Sequence, residues 1–555
     1  HIDELKFIYY FTCMQIHGFS ILGGTLVNTS TLIGMIPFFL MGAILIPEKY
    51  VNSQPKAFAR AARFTLLTAL LVFMSGLINI AMESPNSFGT GGLHAIPIWT
   101  MPDPVALIMA CLIAFIGWII TTFSLHYLDG DPNQGRFLKH VCFTLGSVLV
   151  LVLSNNLGIA FLGWIFTSLG LHLLLCHYPE RNWAIWAARK KFLVSRLGDL
   201  FFLGAIALVY SCFGSLDYAE IFTKCEAIRE SNKAAPAAVT LIGVLLVLAA
   251  ITKSAQFPFH TWLPDTMETP TPVSALMHAG VINAGGFLVI RLSPILTLSS
   301  LPLDILLVMG TFTALLGSLL MLTQTSIKRS LAYSTVAQMG FMMLQCGIGA
   351  FTAALLHILA HSFYKAHAFL SSGGILETAK PVDHSPDNPN RLPSPWALPL
   401  AILAALALGV SSYWLLGSHG SAGTGGIMLC FILVLALTQL LWPNFSRQSS
   451  LLALVGVLQS IVVCGCYLAA YHLLWLATSG KLDIGVPPPG LLDMAALAMV
   501  LAGFLGIFLL QILMDPLGRF PWMRALHVHA MHGFYMDIPS RKLAGMFWGK
   551  SYPVP

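Results

Sequence analysis

The sequence predicts an all-α polytopic membrane protein, and three observations support this fold class. Of its 555 residues, 57% are hydrophobic and only 9% are charged, whereas soluble domains carry about 25% charged residues. The mean hydropathy is +0.79. Apolar segments of about 20 residues, the length that crosses a bilayer as a helix, recur along the chain, and we count about fifteen of them. These spans leave no room for a sizeable soluble domain.

The basic residues are unevenly distributed between the two sides of this predicted bundle. With an outside N-terminus and fifteen spans, most of the 29 Lys and Arg residues fall on the inner side, as is usual for cytoplasmic loops. We therefore expect a cytoplasmic C-terminus. The formal net charge of +6 does not indicate nucleic-acid binding, because no basic cluster lies in a soluble domain. P-loop, HExxH and GxGxxG patterns are absent, so we expect no cofactor and no metal site in this chain.

The sixth predicted span opens with the segment KKFLVSRLGD, which contains Arg196 and Asp199. Residues three apart are neighbours on a helix, so an ion pair is expected at this edge of the membrane. The pair is either a structural clamp or a means of tuning a nearby lysine, since an opposite charge favours the charged form of a lysine.

The seventh predicted span carries Lys253 near its end, directly before Phe257, Pro258 and His260. Proline ends or kinks a helix, and broken helices at membrane depth are typical of ion sites in transporters. An ionisable residue inside a span is costly and usually functional, so Lys253 is a candidate proton carrier. The alternative is a lysine that reaches out to the membrane surface.

Further titratable residues follow this break. Asp265 and Glu268 lie on the connecting loop and are either a gate or solvated. His278, on the eighth span, is surrounded by small residues that allow close helix approach, and histidine titrates nearest to physiological pH. Lys328 begins the tenth span, where it is either a topological charge or an entry point for protons.

The eleventh predicted span contains a polar stripe formed by His357, His361 and Lys365. Their spacing of four residues places them along one side of a helix. Two histidines at this spacing also fit a metal pair, but a third ligand is not evident. We therefore favour a relay of titratable groups for proton transfer.

The tail beyond Asp515 mixes aromatic, Arg and His side chains and is predicted to be an amphipathic helical segment on the inner side. Such a segment lies on the bilayer or docks a partner. The candidate docking residues are Arg524, His527, His529, His532, Phe534 and Tyr535.

Three segments carry a family resemblance: TKSAQFPFHTWLPDTMETPTPVSALMHAG, SIKRSLAYSTVAQMGFM and HILAHSFYKAHAFLSSGGIL. They resemble the antiporter-like proton-channel subunits of respiratory complex I and of Mrp cation/proton antiporters. The resemblance implies two inverted five-helix repeats, each with a broken helix. It also implies a proton path that comprises Lys253, His278, Lys328, His357, His361 and Lys365. The implied organisation is three N-terminal helices in 1–130, repeats in 131–292 and 300–445, two helices in 446–515, and a tail in 516–555.

Three departures from the complex I pattern indicate which of the related families the chain resembles most. Ile165 follows LGW where complex I members have a glutamate, the lysine expected in the twelfth span is missing, and the chain stops about 40 residues after the last span. In these features the chain resembles the DabB family, membrane subunits of inorganic-carbon accumulation complexes in bacterial inner membranes. That resemblance implies a cytoplasmic DabA-type partner, similar to zinc β-carbonic anhydrases, which would hold the zinc. A subunit of complex I or an Mrp antiporter, and a non-conducting anchor for a soluble enzyme, remain alternatives.

Overall fold

The computed structural model describes residues 29–82, 99–231, 235–374, 396–417, 424–446, 450–478, 482 and 491–549. Within these ranges the chain is helical, and extended pairing is limited to two isolated bridges, Thr100 with Ser154 and Asn156 with Asp217. The predicted all-α class is confirmed. The α-helices are α1 (Thr29–Gly42), α2 (Glu48–Ser53), α3 (Pro55–Met82), α4 (Pro104–Tyr127), α5 (Gln134–Leu153), α6 (Leu157–Leu175), α7 (Asn182–Phe213), α8 (Tyr218–Glu230), α9 (Ala237–Lys253), α10 (Thr271–Ala279), α11 (Ala284–Arg291), α12 (Ser293–Leu296), α13 (Ser300–Thr323), α14 (Ile327–Gly347), α15 (Phe351–Ser371), α16 (Ala397–Gly417), α17 (Thr424–Ser446), α18 (Ser450–Ala477), α19 (Leu491–Leu517), α20 (Pro521–Met531) and α21 (Asp537–Trp548).

Ten helices in the described part of the chain are long and apolar enough to cross a membrane. Three shorter apolar helices cover Thr31–Leu45, Ala237–Lys253 and Leu497–Leu513. The protein is therefore a multi-pass membrane protein. The number of fifteen spans stays a prediction, as does the inverted-repeat arrangement.

The helix that carries Lys253 breaks where the sequence predicts. Helix α9 ends at Lys253, and two short 3-10 helices, Phe259–Trp262 and Pro264–Glu268, precede α10. Ala255 has a φ of 48°, a left-handed conformation that often ends helices but is uncommon for alanine. A second break, at Gly280 after α10, is followed by the 3-10 turn Val281–Asn283. This second break was not predicted.

The described chain divides into two compact units. The first contains the residues up to Ile295, residues 358–370 of α15, and residues 536–555 with α21. In this unit α9 packs along α7 and α11, and α4 packs against α3 and α5. Helix α5 is buried along almost its whole length, so it forms the centre of the unit.

The second unit contains residues 296–357 and 371–535. Its most extensive helix pair is α13 with α14. The backbones approach closely at Gly340, where an added Cβ would lie 2.5 Å from the backbone nitrogen of Ala314. Small residues at such positions allow membrane helices to gain van der Waals contact along their length. Helices α16, α17 and α18 pack together in the same unit.

Candidate functional site

Lys253 is buried at the end of α9, where only 7% of the residue is exposed. Its Nζ donates to the Ser168 hydroxyl at 2.7 Å and to the Trp164 carbonyl at 3.0 Å. The same Nζ lies 4.3 Å from the centroid of the Trp164 ring. Reaching out to the membrane surface is therefore the wrong description of this side chain. Within the described ranges, no carboxylate lies within ion-pairing distance of the amine.

The predicted ion pair beside this lysine is present. Arg196 Nη2 lies 2.7 Å from Asp199 Oδ2, and the indole Nε1 of Trp164 donates to Asp199 Oδ1 at 3.0 Å. Trp164 thus contacts Lys253 through its carbonyl and ring, and Asp199 through its indole. Asp199 is the nearby carboxylate that the sequence suggested, but Arg196 and Trp164 occupy its two oxygens.

Lys191 is a functional candidate that the sequence pattern did not reveal, because a basic run such as residues 189–191 at the start of a span is typical of topological charge. The structure buries Lys191 to 4% exposure, and its Nζ donates to the Ser168 carbonyl at 2.5 Å. Ser168 therefore accepts hydrogen bonds from two lysines. The polar or small residues Lys191, Ser195 and Gly198, spaced as i, i+4 and i+7, are the pattern that identifies this buried face of α7.

The second break and α15 meet within the first unit. His278 is fully buried and its ring stacks on Phe369, with centroids 4.3 Å apart. Asn283, just beyond the break, donates to Ser362 Oγ at 2.8 Å and to the Ala279 carbonyl at 2.9 Å. The structure thus brings His278 to the part of α15 that carries two other predicted residues. These are His361 and Lys365, which are 3% and 0% exposed.

Two predicted path residues belong to the second unit. His357 is half-buried and its ring centroid lies 5.5 Å from that of Phe341. Lys328 is half-buried at the second position of α14. Their place in one continuous proton path stays a prediction.

The candidate gate residues have different surroundings. Asp265 forms an ion pair with Lys190, which is 3% exposed, and Lys190 also pairs with Asp537 of α21. Asp537 pairs in turn with Arg541. We refer to Lys190, Asp265, Asp537 and Arg541 as the tail clamp. The second candidate gate residue, Glu268, has an exposed side chain, and its carbonyl accepts a hydrogen bond from an arginine.

Further contacts join α21 to α7 and to the connector between α9 and α10. Thr261 donates to Ser540 Oγ at 3.1 Å, and the ring of Trp548 lies edge-on to that of Phe192, 6.2 Å away. His260 in the connector is buried, and burial lowers its pKa to about 4. Its imidazole is therefore neutral at pH 7. The last described helix is thus fixed to the segment that follows Lys253.

The candidate docking residues lie on α20 and the turn after it, in the second unit. Met523 and Ala530 face inward, and Ala530 packs with Leu320 and Tyr333. The candidates themselves are exposed, except the half-buried Phe534: Arg524, His527, His529, His532, Phe534 and Tyr535. The histidine rings at 529 and 532 lie 5.7 and 5.9 Å from the ring of Tyr535. The surface is accessible, and its use for docking stays a prediction.

Most of the candidate site residues lie in a segment that matches one protein-family model. Residues 154–391 match the transmembrane model of the NADH:quinone oxidoreductase/Mrp antiporter family. Residues 90–138 match the N-terminal model of chain 5 of NADH-ubiquinone oxidoreductase (complex I). The first match contains Lys191, Lys253, His278 and Lys365.

Similar proteins extend over nearly the whole chain. A probable inorganic carbon transporter subunit DabB2 from Halothiobacillus neapolitanus is 35% identical over 531 residues, 94% of each chain. A probable DabB subunit from Hydrogenovibrio crunogenus is 32% identical over 86% of this chain and 89% of its own length.

Solved structures share the fold. The Mrp complex of a Dietzia species contains a chain with a TM-score of 0.56 and 22% identity, which covers 94% of this chain and 62% of its own length. A chain of the archaeal membrane-bound sulfane sulfur reductase gives a TM-score of 0.53 and 17% identity over 93% of this chain and 98% of its own length. At these identities the likeness shows an antiporter-like membrane fold.

Proposed function

The chain belongs to the DabB family of inorganic carbon transporter subunits, and we propose that it conducts the protons that drive such a transporter. The observation that carries this proposal is the surroundings of Lys253. Its amine is buried at a helix break and is held by a hydroxyl and a carbonyl, and none of the carboxylates in the described residues pairs with it. A permanent charge in this position would be costly, whereas an amine that gains and loses a proton fits it.

The proposed path runs from the Lys253 site through His278 to α15. His278 lies within electrostatic reach of Lys365, and the hydrogen bond between Asn283 and Ser362 holds the second break against the same helix. Lys328 and His357 extend the proposed path along α14 and α15. Buried titratable groups of this kind commonly form proton relays in membrane proteins.

We further propose a DabA-type cytoplasmic partner that resembles zinc β-carbonic anhydrases and holds the zinc. Proton flow through this chain would drive the partner to hydrate CO2 to bicarbonate in one direction. The exposed residues on α20 and its following turn offer the docking surface. Helix α21 follows this surface in the chain and is fixed to the connector beside Lys253 by the tail clamp.

The proposed membrane arrangement follows the distribution of basic residues. We place the N-terminus outside and the C-terminus in the cytoplasm of a bacterial cell, with about fifteen spans in the inner membrane. The inverted repeats would occupy 131–292 and 300–445, after three helices in 1–130 and before two helices in 446–515 and the tail in 516–555.

A second candidate function is an antiporter-like subunit of complex I or of an Mrp antiporter. The match of residues 154–391 to that family model favours it. Ile165, in the position of the usual glutamate, and the missing lysine in the twelfth span argue against it. The identity of the co-purifying proteins separates the two: a zinc protein supports the first candidate, and respiratory or antiporter subunits support the second.

The direct test is Lys253→Ala in cells that make the complete complex. We expect assembly with the partner to be retained and uptake of labelled inorganic carbon to fall to the background of cells without the complex. Lys139→Met is the matched control, since Lys139 is equally buried but its partner Glu48 is half-exposed and can be solvated, so uptake should persist. Uptake at the wild-type level in Lys253→Ala would contradict proton conduction through this residue.

The coupling ion is tested with ionophores in the same cells. If protons are the driving ion, a protonophore abolishes uptake while a sodium ionophore leaves it in place. The opposite result would assign the role to sodium.

A further inference from the structure

We propose that Lys191 is a second proton-carrying residue of the Lys253 site, so that two amines at Ser168 exchange one transported proton. This inference rests on the proposed proton conduction and adds a residue that the family-like motifs did not include. It follows from the geometry of Ser168, which accepts from Lys191 through its carbonyl and from Lys253 through its hydroxyl.

Burial is the first observation in its support. Lys191 and Lys253 are 4% and 7% exposed, and Ser168 between them is 2% exposed. Lysine is almost never buried to this degree unless it is paired. Within the described ranges, neither amine lies within ion-pairing distance of a carboxylate. A buried salt bridge therefore does not explain the burial of either lysine.

The balance of charge is the second observation. Asp199 is the nearby carboxylate, and Arg196 already pairs with it. If both lysines were protonated, two positive charges besides that of Arg196 would lie buried beside Ser168, and no negative charge would compensate them within the described residues. Because buried charges must be compensated or neutralised, the site favours one protonated and one neutral amine. A neutral amine keeps N–H donors, so both hydrogen bonds to Ser168 persist in that state.

The groups that face Lys191 come from three helices. Lys253 approaches from α9, and His172 approaches from α6 together with Cys176, the residue that follows that helix. Arg196 and Asp199 lie on α7 itself. His172 Nε2 lies 3.8 Å from Cys176 Sγ. The neighbouring carboxylate is thus the one already paired, and the other charged neighbours are cations.

The exchange is a balanced proton transfer. One N–H bond of the protonated Lys191 breaks and one N–H bond forms on the neutral Lys253, or the reverse. Ser168 holds the Lys191 amine at its carbonyl and the Lys253 amine at its hydroxyl while the proton passes between the two nitrogens. No covalent intermediate or redox partner is required, and the pair carries one positive charge before and after the step.

The test replaces Lys191 by arginine, methionine and histidine in the complete complex. Arginine keeps the positive charge but does not release its proton, so Lys191→Arg and Lys191→Met should each reduce uptake at least tenfold with the partner still bound. Lys191→His restores a titratable group, and its pH profile of uptake should shift to lower pH than that of the wild type. Lys139→Arg, a buried lysine with a carboxylate partner, is the matched control and should keep wild-type uptake.

The outcomes separate this inference from the proposed function. If Lys191→Arg keeps the uptake and the pH profile of the wild type, the charge at position 191 has only a structural role, and the inference is overturned. If the arginine variant does not assemble, the histidine variant decides, and an unshifted pH profile there overturns the inference as well. Loss of uptake in Lys253→Ala together with either result would leave proton conduction standing and remove only the role of Lys191.

Discussion

Lys190 and Lys191 are adjacent on α7 and nearly equally buried, yet their amines have opposite surroundings. Lys190 lies between the carboxylates of Asp265 and Asp537 in the tail clamp. Lys191 donates to the Ser168 carbonyl beside Lys253. In the described part of the chain it has no carboxylate at ion-pairing distance.

The difference separates a fixed charge from a proton carrier. A lysine between two carboxylates balances their negative charges, and removing it leaves two half-buried carboxylates without their shared cation. A lysine held by neutral oxygens can lose its proton without leaving a carboxylate uncompensated. Burial alone therefore does not identify a transport residue; the partners of the buried amine do.

The largest effect is expected for Lys190→Met. Two carboxylates of the tail clamp then lose their shared cation, and breaking a buried ion pair typically costs about 3 to 5 kcal/mol. We expect a markedly lower temperature of thermal unfolding for the purified complex, with transport per folded molecule retained. Lys191→Met should show the reverse pattern. An unchanged unfolding temperature in Lys190→Met would contradict a structural role for the clamp.

The contact between α7 and α9 is tested by Gly198→Ala. A Cβ at Gly198 would lie 2.2 Å from Thr252 Oγ1 and 3.2 Å from Thr252 Cβ, so either the Thr252 side chain rotates or the helices that carry Asp199 and Lys253 shift. Overpacking of this kind costs about 1 to 3 kcal/mol, and we expect uptake to fall several-fold. Gly204→Ala is the control on the same helix, because its nearest neighbour, Leu245 Cδ1, is 3.6 Å away. Equal uptake in both variants would show that this contact does not position the site.

A smaller effect is expected for Ser362→Ala. It removes the acceptor of the Asn283 amide, and a single hydrogen bond contributes about 1 kcal/mol. The second break stays closed by the bond from Asn283 to the Ala279 carbonyl. We therefore expect uptake to fall by less than about threefold, in assays of the assembled complex. A complete loss would mean that the Ser362 hydroxyl itself carries the proton.

The sequence alone identified the charged residues that violate an apolar pattern. Lys253 and the histidine-rich stripe of α15 are recognisable because they place titratable side chains in otherwise apolar segments. Pro258 indicates the break after α9. The ion pair of Arg196 with Asp199 follows from their spacing. Local chemistry was sufficient for these features.

Contacts between distant segments were not predictable in this way. Asp537 meets Lys190 across 347 positions, and no local pattern joins them. Lys191 ends a run of three basic residues, 189–191, and such runs are also typical of membrane-edge lysines. Ser168 lies in an apolar span, and neither its own position nor the LGW that contains Trp164 indicates that both residues contact Lys253. Their role depends on which helix packs against them, which is a property of the fold.

The central claim is that the two buried amines held by Ser168 carry the transported proton. It is tested most directly by proton flux into liposomes that contain the purified complex, after an imposed pH gradient. We predict flux for the wild type and for Lys139→Met, and none above protein-free liposomes for Lys253→Ala. Flux through Lys253→Ala at the wild-type rate would contradict the claim.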